Sequence, residues 1–387
     1  MCIRDRYQSP AASSEERARA GLRRVERCRI LPAAMADTPA RRREGEINAR
    51  QRPGRRPRTS RAGVGVDARV RLREYREGDE VAINAAFNAA FGLARPLEEW
   101  RWKFPAEPDG RWIVVGEDAA GAIVTHFAAI PVWLQVGEQR VLAGHNVDVF
   151  ALSRARAGLG AARAYLETAR AFFALYLNPE RLAVVLGFPG PRNDPLTVRR
   201  LGCSPVAAVR VWRRDTARRG SWWLGHELCE STAPEATDVL WSRAGQRFPV
   251  AAVRGARWYG HRFRGRPGVG YRFLTAWRRG RPHAAGVVRI GPDTLWVCDW
   301  VWDGEDRRAV RVLDGGIAAL ARRHGCCQVE TWLMGDPALA AVLTDLGWTS
   351  GPHPAGLRMV ARSGDPRIGV ERLAAGMYVT MADADLV

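Results

Sequence analysis

Two stretches of this chain follow one plan, and a supersecondary plan that occurs twice limits the fold more than any single motif. Trp100-Arg101-Trp102-Lys103-Phe104 precedes an apolar run over 111–118, a turn at Ala120-Gly121 and a second run over 122–130. Further on, Trp258-Tyr259 and Arg262-Phe263 precede a run over 271–277, a turn at Arg279-Gly280 and another run over 284–290. Each half closes with a helix-like segment ending in Leu-Gly, Val198–Gly202 and Val342–Gly347. The repeat predicts two similar lobes, 67–214 and 242–387, joined by a linker over 215–241.

The stretch Val141–Gly202 suggests chemistry as well as fold. A β-like run (145–152) enters a basic glycine turn (153–160), followed by a helix-period segment and a second apolar strand (182–188). Leu159, Ala162, Leu166, Ala169 and Phe173 share one helical stripe, the face expected to bury against a sheet. The first N–H groups of a helix lack intrahelical partners and sit at the positive end of its dipole. An anion placed there receives oriented donors. Gly158 and Gly160 allow close backbone approach, and Arg154 and Arg156 add charged donors. The plainer alternative is a surface loop leading into an ordinary amphipathic helix.

These residues resemble the GCN5-related N-acetyltransferase family, in a bacterial subgroup with two such lobes. The family's acyl-CoA loop reads R/Q-x-x-G-x-G/A, matched here by Ala155-Arg156-Ala157-Gly158-Leu159-Gly160. Ala155 stands at the Arg/Gln position, with Arg154 one residue earlier. The segment 98–149 resembles the strands before the loop, and 187–202 the fifth strand and its following helix. The likeness covers about Val70 to Val387.

The resemblance implies an α/β fold (α+β, with a mixed sheet) of two tandem acyl-CoA N-acyltransferase lobes. It implies acetyl-CoA or another acyl-CoA as co-substrate, no metal, and a small-molecule or peptide amine as acceptor. The backbone of Val149, Phe150 and Ala151, the loop residues Arg154, Arg156, Gly158 and Gly160, and Asn193 are the implied CoA contacts. Attack by an amine requires loss of a proton from an ammonium of pKa near ~10, hence a general base. His145 and Asp148 are the candidates, with His126 on the neighbouring strand and the C-terminal carboxylate of Val387 as alternatives. Each also has a structural reading, as a hydrogen-bonded strand-end histidine, a turn-bonded carboxylate or a frayed terminus. Asp194 stands where close relatives carry the tyrosine that reprotonates the thiolate. Trp100 and Trp102 suit either the acceptor site or the core.

The second half differs at the matching place. Val310, Leu313, Ile317 and Leu320 form a helical stripe, but the entry to it is Asp303-Gly304-Glu305-Asp306, which would repel a phosphate. A lobe that has lost CoA binding is expected there.

The formal net charge of +19 does not point to nucleic acid. Residues 1–66 hold 17 Arg against 7 acidic residues, so about half of the excess lies in a Pro-, Ala- and Gly-rich leader expected to be disordered. Residues 1–6, MCIRDR, match a translated sequencing adapter and read as an artefact. Lys103 is the single lysine, as expected of an arginine-biased, GC-rich coding sequence. The seven cysteines show no CxxC spacing, so neither zinc nor a disulfide framework is expected. With no apolar run of the length of a membrane span, a cytoplasmic enzyme is the expectation. A non-catalytic acyl-CoA-binding protein and a peptidoglycan-type aminoacyl transferase are the alternatives.

Overall fold

The computed structural model describes residues 70–106, 108–152, 160–191, 193–217, 225–231 and 236–385. The first half runs β1 (Arg71–Glu74), α1 (Asp79–Phe91), α2 (Leu97–Lys103), β2 (Trp112–Glu117), β3 (Ile123–Val136), β4 (Gln139–Ala151), α3 (Gly160–Tyr176), β5 (Val184–Gly187), α4 (Asp194–Leu201), β6 (Ser204–Ala208) and β7 (Arg210–Asp215). The second runs β8 (His226–Ser231), α5 (Ala236–Ala244), β9 (Val250–Ala252), α6 (Ala256–Tyr259), β10 (Tyr271–Arg278), β11 (Arg281–Ile290) and β12 (Thr294–Trp302). It continues through α7 (Arg307–Arg323), β13 (Gln328–Met334), α8 (Pro337–Asp345), β14 (Thr349–Pro352), β15 (Arg358–Ser363), α9 (Val370–Gly376) and β16 (Met377–Thr380). The segment 215–241, read as a linker from sequence, contributes β8 and the start of α5.

Both halves have the same strand order. The first sheet is β1-β2-β3-β4-β5-β15-β6 and the second β8-β10-β11-β12-β13-β7-β14. In each, only the fourth and fifth strands are parallel, β4 with β5 and β12 with β13. The sixth place of each sheet is filled from the other half. β15 sits between β5 and β6, and β7 between β13 and β14. β9 and β16 join the two sheets through Leu134↔Ala252, Met377↔Val250 and Leu333↔Thr380.

Helices cover both faces of the first sheet. On one face α3 packs Phe172 and Phe173 against Val114, Phe127, Ala129 and Val185. On the other, Ile83 of α1 and Trp100 of α2 pack with Ile113, Val115, Ala128 and Val147. The buried stripe of α3 is rotated from the one read in sequence: Ala164, Thr168, Phe172 and Tyr176 face inward with Ala169 and Phe173, whereas Ala162 is exposed. Thr168 belongs inside because its hydroxyl donates to Ala164 O and shares a 2.8 Å bond with Thr125. In α7 all four stripe residues, Val310, Leu313, Ile317 and Leu320, are buried. The Leu-Gly ends of both halves are helix stops. Gly202 and Gly347 take φ of 67° and 85°, a conformation open to glycine at little cost.

Candidate active site

The parallel pairing of β4 with β5 is short. It runs Ala143↔Val184, Gly144↔Val185 and His145↔Leu186, then stops. β5 ends at Gly187, whereas β4 continues along β3 to Ala151. Its path is bent by a bulge, where the β3–β4 register shifts between His126 and Ala128. In that bulge Asp148 has φ of 52°, a strained conformation for a residue with a side chain. The strain is held by charge. Lys103 Nζ donates to Asp148 Oδ1 at 2.9 Å, and Arg95 donates to Oδ2. The wedge between the parting strands is therefore a built feature. Asn146 stands at its apex, next to Gly187, and its Oδ1 is buried with no hydrogen-bond partner among the described residues.

His145, one residue earlier in β4, belongs to the α1–α2 face with Val147. There it lines a cavity of about 560 Å³. Lys103, Leu186, Arg262 and Asp385 line it too, and Trp102, Trp133 and Trp258 supply apolar wall. The segment 382–385 is fixed against this cavity. Arg262 Nε donates to Ala382 O at 3.2 Å and its terminal nitrogen to Ala384 O. Lys103 Nζ donates to Asp385 Oδ2 at 2.7 Å, so one buried ammonium joins the bulge to the tail. Behind the tail, Arg254 bonds Asp299 and, at 2.6 Å, Asp383. Thr380 donates to Asp299 at 2.6 Å.

These groups set the state of His145. Burial pushes its pKa down to about 4. Asp385 opposes that shift, while Arg262 and Lys103 add to it. His126, whose Nδ1 lies 2.7 Å from Asp148 O, is likewise pushed down to about 4, chiefly by burial. Both imidazoles are thus neutral in the folded chain at pH 7. The unfolded chain protonates them near ~6.5, so it binds more protons between about pH 6.5 and 4. Stability is then expected to fall as pH drops through that window, by roughly 2 kcal/mol per imidazole at pH 5. Urea unfolding at pH 7 and pH 5 measures this; an equal midpoint at the two pH values contradicts it.

The other residues marked in the sequence are spread out. Phe150 is buried and stacks on His126 at 5.3 Å. Val149 packs on the α3 face, and Ala151 is the last residue of β4. Gly160 opens α3. Arg154, Arg156, Gly158 and Val387 lie outside the described residues. Asn193 is exposed at the head of α4, and Asp194 pairs with Arg358 at 2.6 Å, away from the cavity lining. Asp148 is enclosed by Arg95 and Lys103 rather than open to a substrate. Trp100 is core, whereas Trp102 and Trp258 reach the cavity. The sequence reading did not mark Lys103, Arg262 or Asp385 as site residues.

The second half is closed at the equivalent place. β12 and β13 pair from Thr294↔Gln328 to Val297↔Thr331 and then part. β16 enters that wedge: Leu333 pairs with Thr380, and Tyr378 donates to Trp300 O at 2.6 Å. Asp306 caps α7 by accepting from Arg308 N and Ala309 N, so the helix start already holds a carboxylate.

A sheet of this order, split between its parallel fourth and fifth strands and covered by helices on both faces, has counterparts among solved structures. A probable N-acyltransferase from Enterococcus faecalis superposes with a TM-score of 0.60 at 14% identity, over 77% of this chain and 73% of its own. A GCN5-related N-acetyltransferase from Anabaena variabilis gives 0.59 at 14%, over 76% and 73%. The fold is that of the GCN5-related N-acetyltransferases. Saccharomyces cerevisiae N-myristoyltransferase with bound myristoyl-CoA shares it more distantly, with a TM-score of 0.50 at 13% identity over 76% of this chain and 82% of that one. No family model and no curated protein matches the sequence. Among the described residues no helix is long and apolar enough to cross a membrane, and no group of three metal-ligating side chains occurs.

Proposed function

We propose that the chain is an acyl-CoA-dependent N-acyltransferase with one site, in the β4–β5 wedge. The observation that carries this reading is the position of His145. It is the last β4 residue paired before the strands part, and it stands on the floor of the acceptor-sized cavity. Asn146 supports the fit to CoA, since an amide N–H of a pantetheine arm entering the wedge satisfies its buried Oδ1. In this scheme the turn with Arg154, Arg156, Gly158 and Gly160 takes the diphosphate at the start of α3. The β4 backbone at Val149, Phe150 and Ala151, with Asn193, lines the arm. The second half is a lobe of the same descent that binds no CoA, because β16 and Asp306 fill the corresponding places. Dependence on CoA places the reaction in the cytoplasm.

His145 accepts a proton from the acceptor ammonium, with Asp385 stabilising the resulting imidazolium. The amine lone pair forms the new C–N bond as the thioester C–S bond breaks. Of the two protons that the ammonium loses, one passes through His145 to the departing sulfur and the other goes to solvent, the third staying on the amide nitrogen. Asp148 acts through Lys103, which it holds against Asp385. Asp194 fixes α4 through Arg358.

The test is a melting shift with acetyl-CoA, followed by thiol release with an amine panel. A ligand at a hundred times its Kd stabilises by about 2.7 kcal/mol. Asn146→Leu is expected to weaken acetyl-CoA by roughly five- to tenfold, the loss of one neutral hydrogen bond. No shift at millimolar acetyl-CoA sinks the reading. A shift with no release from any amine favours a binding protein.

A further inference from the structure

The acceptor cavity holds an unusual charge. Five arginines are buried among the described residues: Arg95, Arg214, Arg254, Arg262 and Arg266. Four lie within ion-pair distance of a carboxylate: Arg95 of Asp148, Arg214 of Asp314, Arg254 of Asp299 and Arg266 of Glu99. Arg262 is the exception. It is 7% exposed and lines the cavity, and among the described residues it donates to the backbone oxygens of Ala382 and Ala384, with Asp385 acting on its charge. A guanidinium taken out of water without a counter-ion is costly, and its planar fork fits a carboxylate.

The cavity's own carboxylates are already engaged. Asp109 pairs with Arg257 at 3.5 Å, Asp383 with Arg254 at 2.6 Å and Asp385 with Lys103 at 2.7 Å. Among the described lining residues a polycation such as a polyamine or an aminoglycoside finds no acid without a cation beside it. An acceptor bearing its own carboxylate completes the set.

Spacing narrows the class further. Arg262 bonds the carbonyl of Ala384, and the next residue is Asp385, which with His145 forms the basic end of the cavity. Arg262 and Asp385 both act on the charge of His145, so cation and base share one end of the cavity. A molecule that meets both carries its amine and its carboxylate close together. Beyond them the walls are Trp102, Trp133, Trp258, Pro105 and Ile130. We infer that the acceptor is a free α-amino acid with an aromatic or bulky apolar side chain, its carboxylate on Arg262 and its amine at His145 and Asp385. This rests on the N-acyltransferase reading. It also links acceptor binding to catalysis: the bound carboxylate offsets Arg262, one of the two cations that make His145 a weaker base.

The experiment uses the full chain and acetyl-CoA, with thiol release as readout. The acceptors are L-phenylalanine and L-tryptophan, their decarboxylated amines, L-phenylalaninamide, spermidine and an aminoglycoside. The expected result is a kcat/KM for the amino acids about 10–100-fold above that for the matching amines and amide, as for loss of a charged fork contact. Arg262→Gln is expected to bring that ratio toward one, whatever its residual rate. The wild-type panel decides the matter alone if the variant does not fold. Equal or better turnover of phenethylamine, spermidine or the aminoglycoside overturns the assignment, as does release with none of the acceptors despite an acetyl-CoA melting shift. Absence of both shift and release overturns the acyl-transfer reading along with it.

Discussion

His145→Ala is expected to lower kcat/KM for acyl transfer by about 10²–10⁴-fold, the usual contribution of a positioned general base, while acetyl-CoA binding stays within about threefold of the parent. The imidazole sits at the floor of the cavity, its ring fixed by an edge contact with Phe188 at 5.9 Å. With a pKa near 4 it is always available as an acceptor at pH 7, but it is a weak one. Against a free ammonium the transfer is steeply uphill. The same surroundings reduce that difference, since Lys103 and Arg262 act on a bound ammonium as they act on the imidazole and lower its hold on the proton. A distinctive pH profile follows. On the acid side kcat/KM should show no inflection near 6.5, where a histidine of ordinary pKa would give one. His145→Gln keeps much of the shape without the base and should lose as much as alanine. A loss below threefold in either variant removes His145 from the chemistry.

The place of His145 was legible in the sequence because it depends on local information. The residue opens the β-like run over 145–152 that leads into a glycine-containing segment and a helix, so neighbouring residues fix its place on the strand. Its partners were not legible. Lys103 and Asp385 are 282 residues apart in the chain yet 2.7 Å apart in space, and no local spacing encodes that pairing. The one available hint was compositional: a lone lysine in an arginine-rich chain marks a position where a compact ammonium is needed between two carboxylates. The surroundings of Asp148 were not legible either, since regular strand alternation does not foresee the bulge that turns its carboxylate to Arg95 and Lys103. The exchange of β7 and β15 was hidden for a related reason. A short apolar strand records which face it buries but not which sheet it joins. The repeated plan was visible because it rests on the order of elements, which the chain does carry.

Arg254→Met is expected to cost about 3–5 kcal/mol, since removing one partner of a buried ion pair leaves the other charge uncompensated. Arg254 is fully buried, with Asp299 and Asp383 both on its guanidinium and Tyr259 donating to Asp299. Burial, with the neighbouring Asp299, raises the Asp383 carboxyl above its ordinary value, and Arg254 is the main influence opposing that rise. Without that cation the two acids must share a dry space, and protonation or local opening relieves it. The tail is the element most easily released. β16 is held by two registered pairs to β13 and two to β9, and the turn that follows it depends on Thr380 and Asp383. Release carries Asp385 away from His145 and reopens the wedge between β12 and β13. Two readouts should therefore move together: a melting temperature lower by roughly 5–15 °C, and a kcat/KM reduced even well below that melting point. Asp383→Asn, which keeps the shape and removes one charge, should cost less in stability than Arg254→Met because Asp299 still balances the guanidinium. If Arg254→Met melted within a degree of the parent, the network would not be what seats the tail. Asp385 would then be seated chiefly by Lys103 and by the bonds of Arg262 to Ala382 and Ala384.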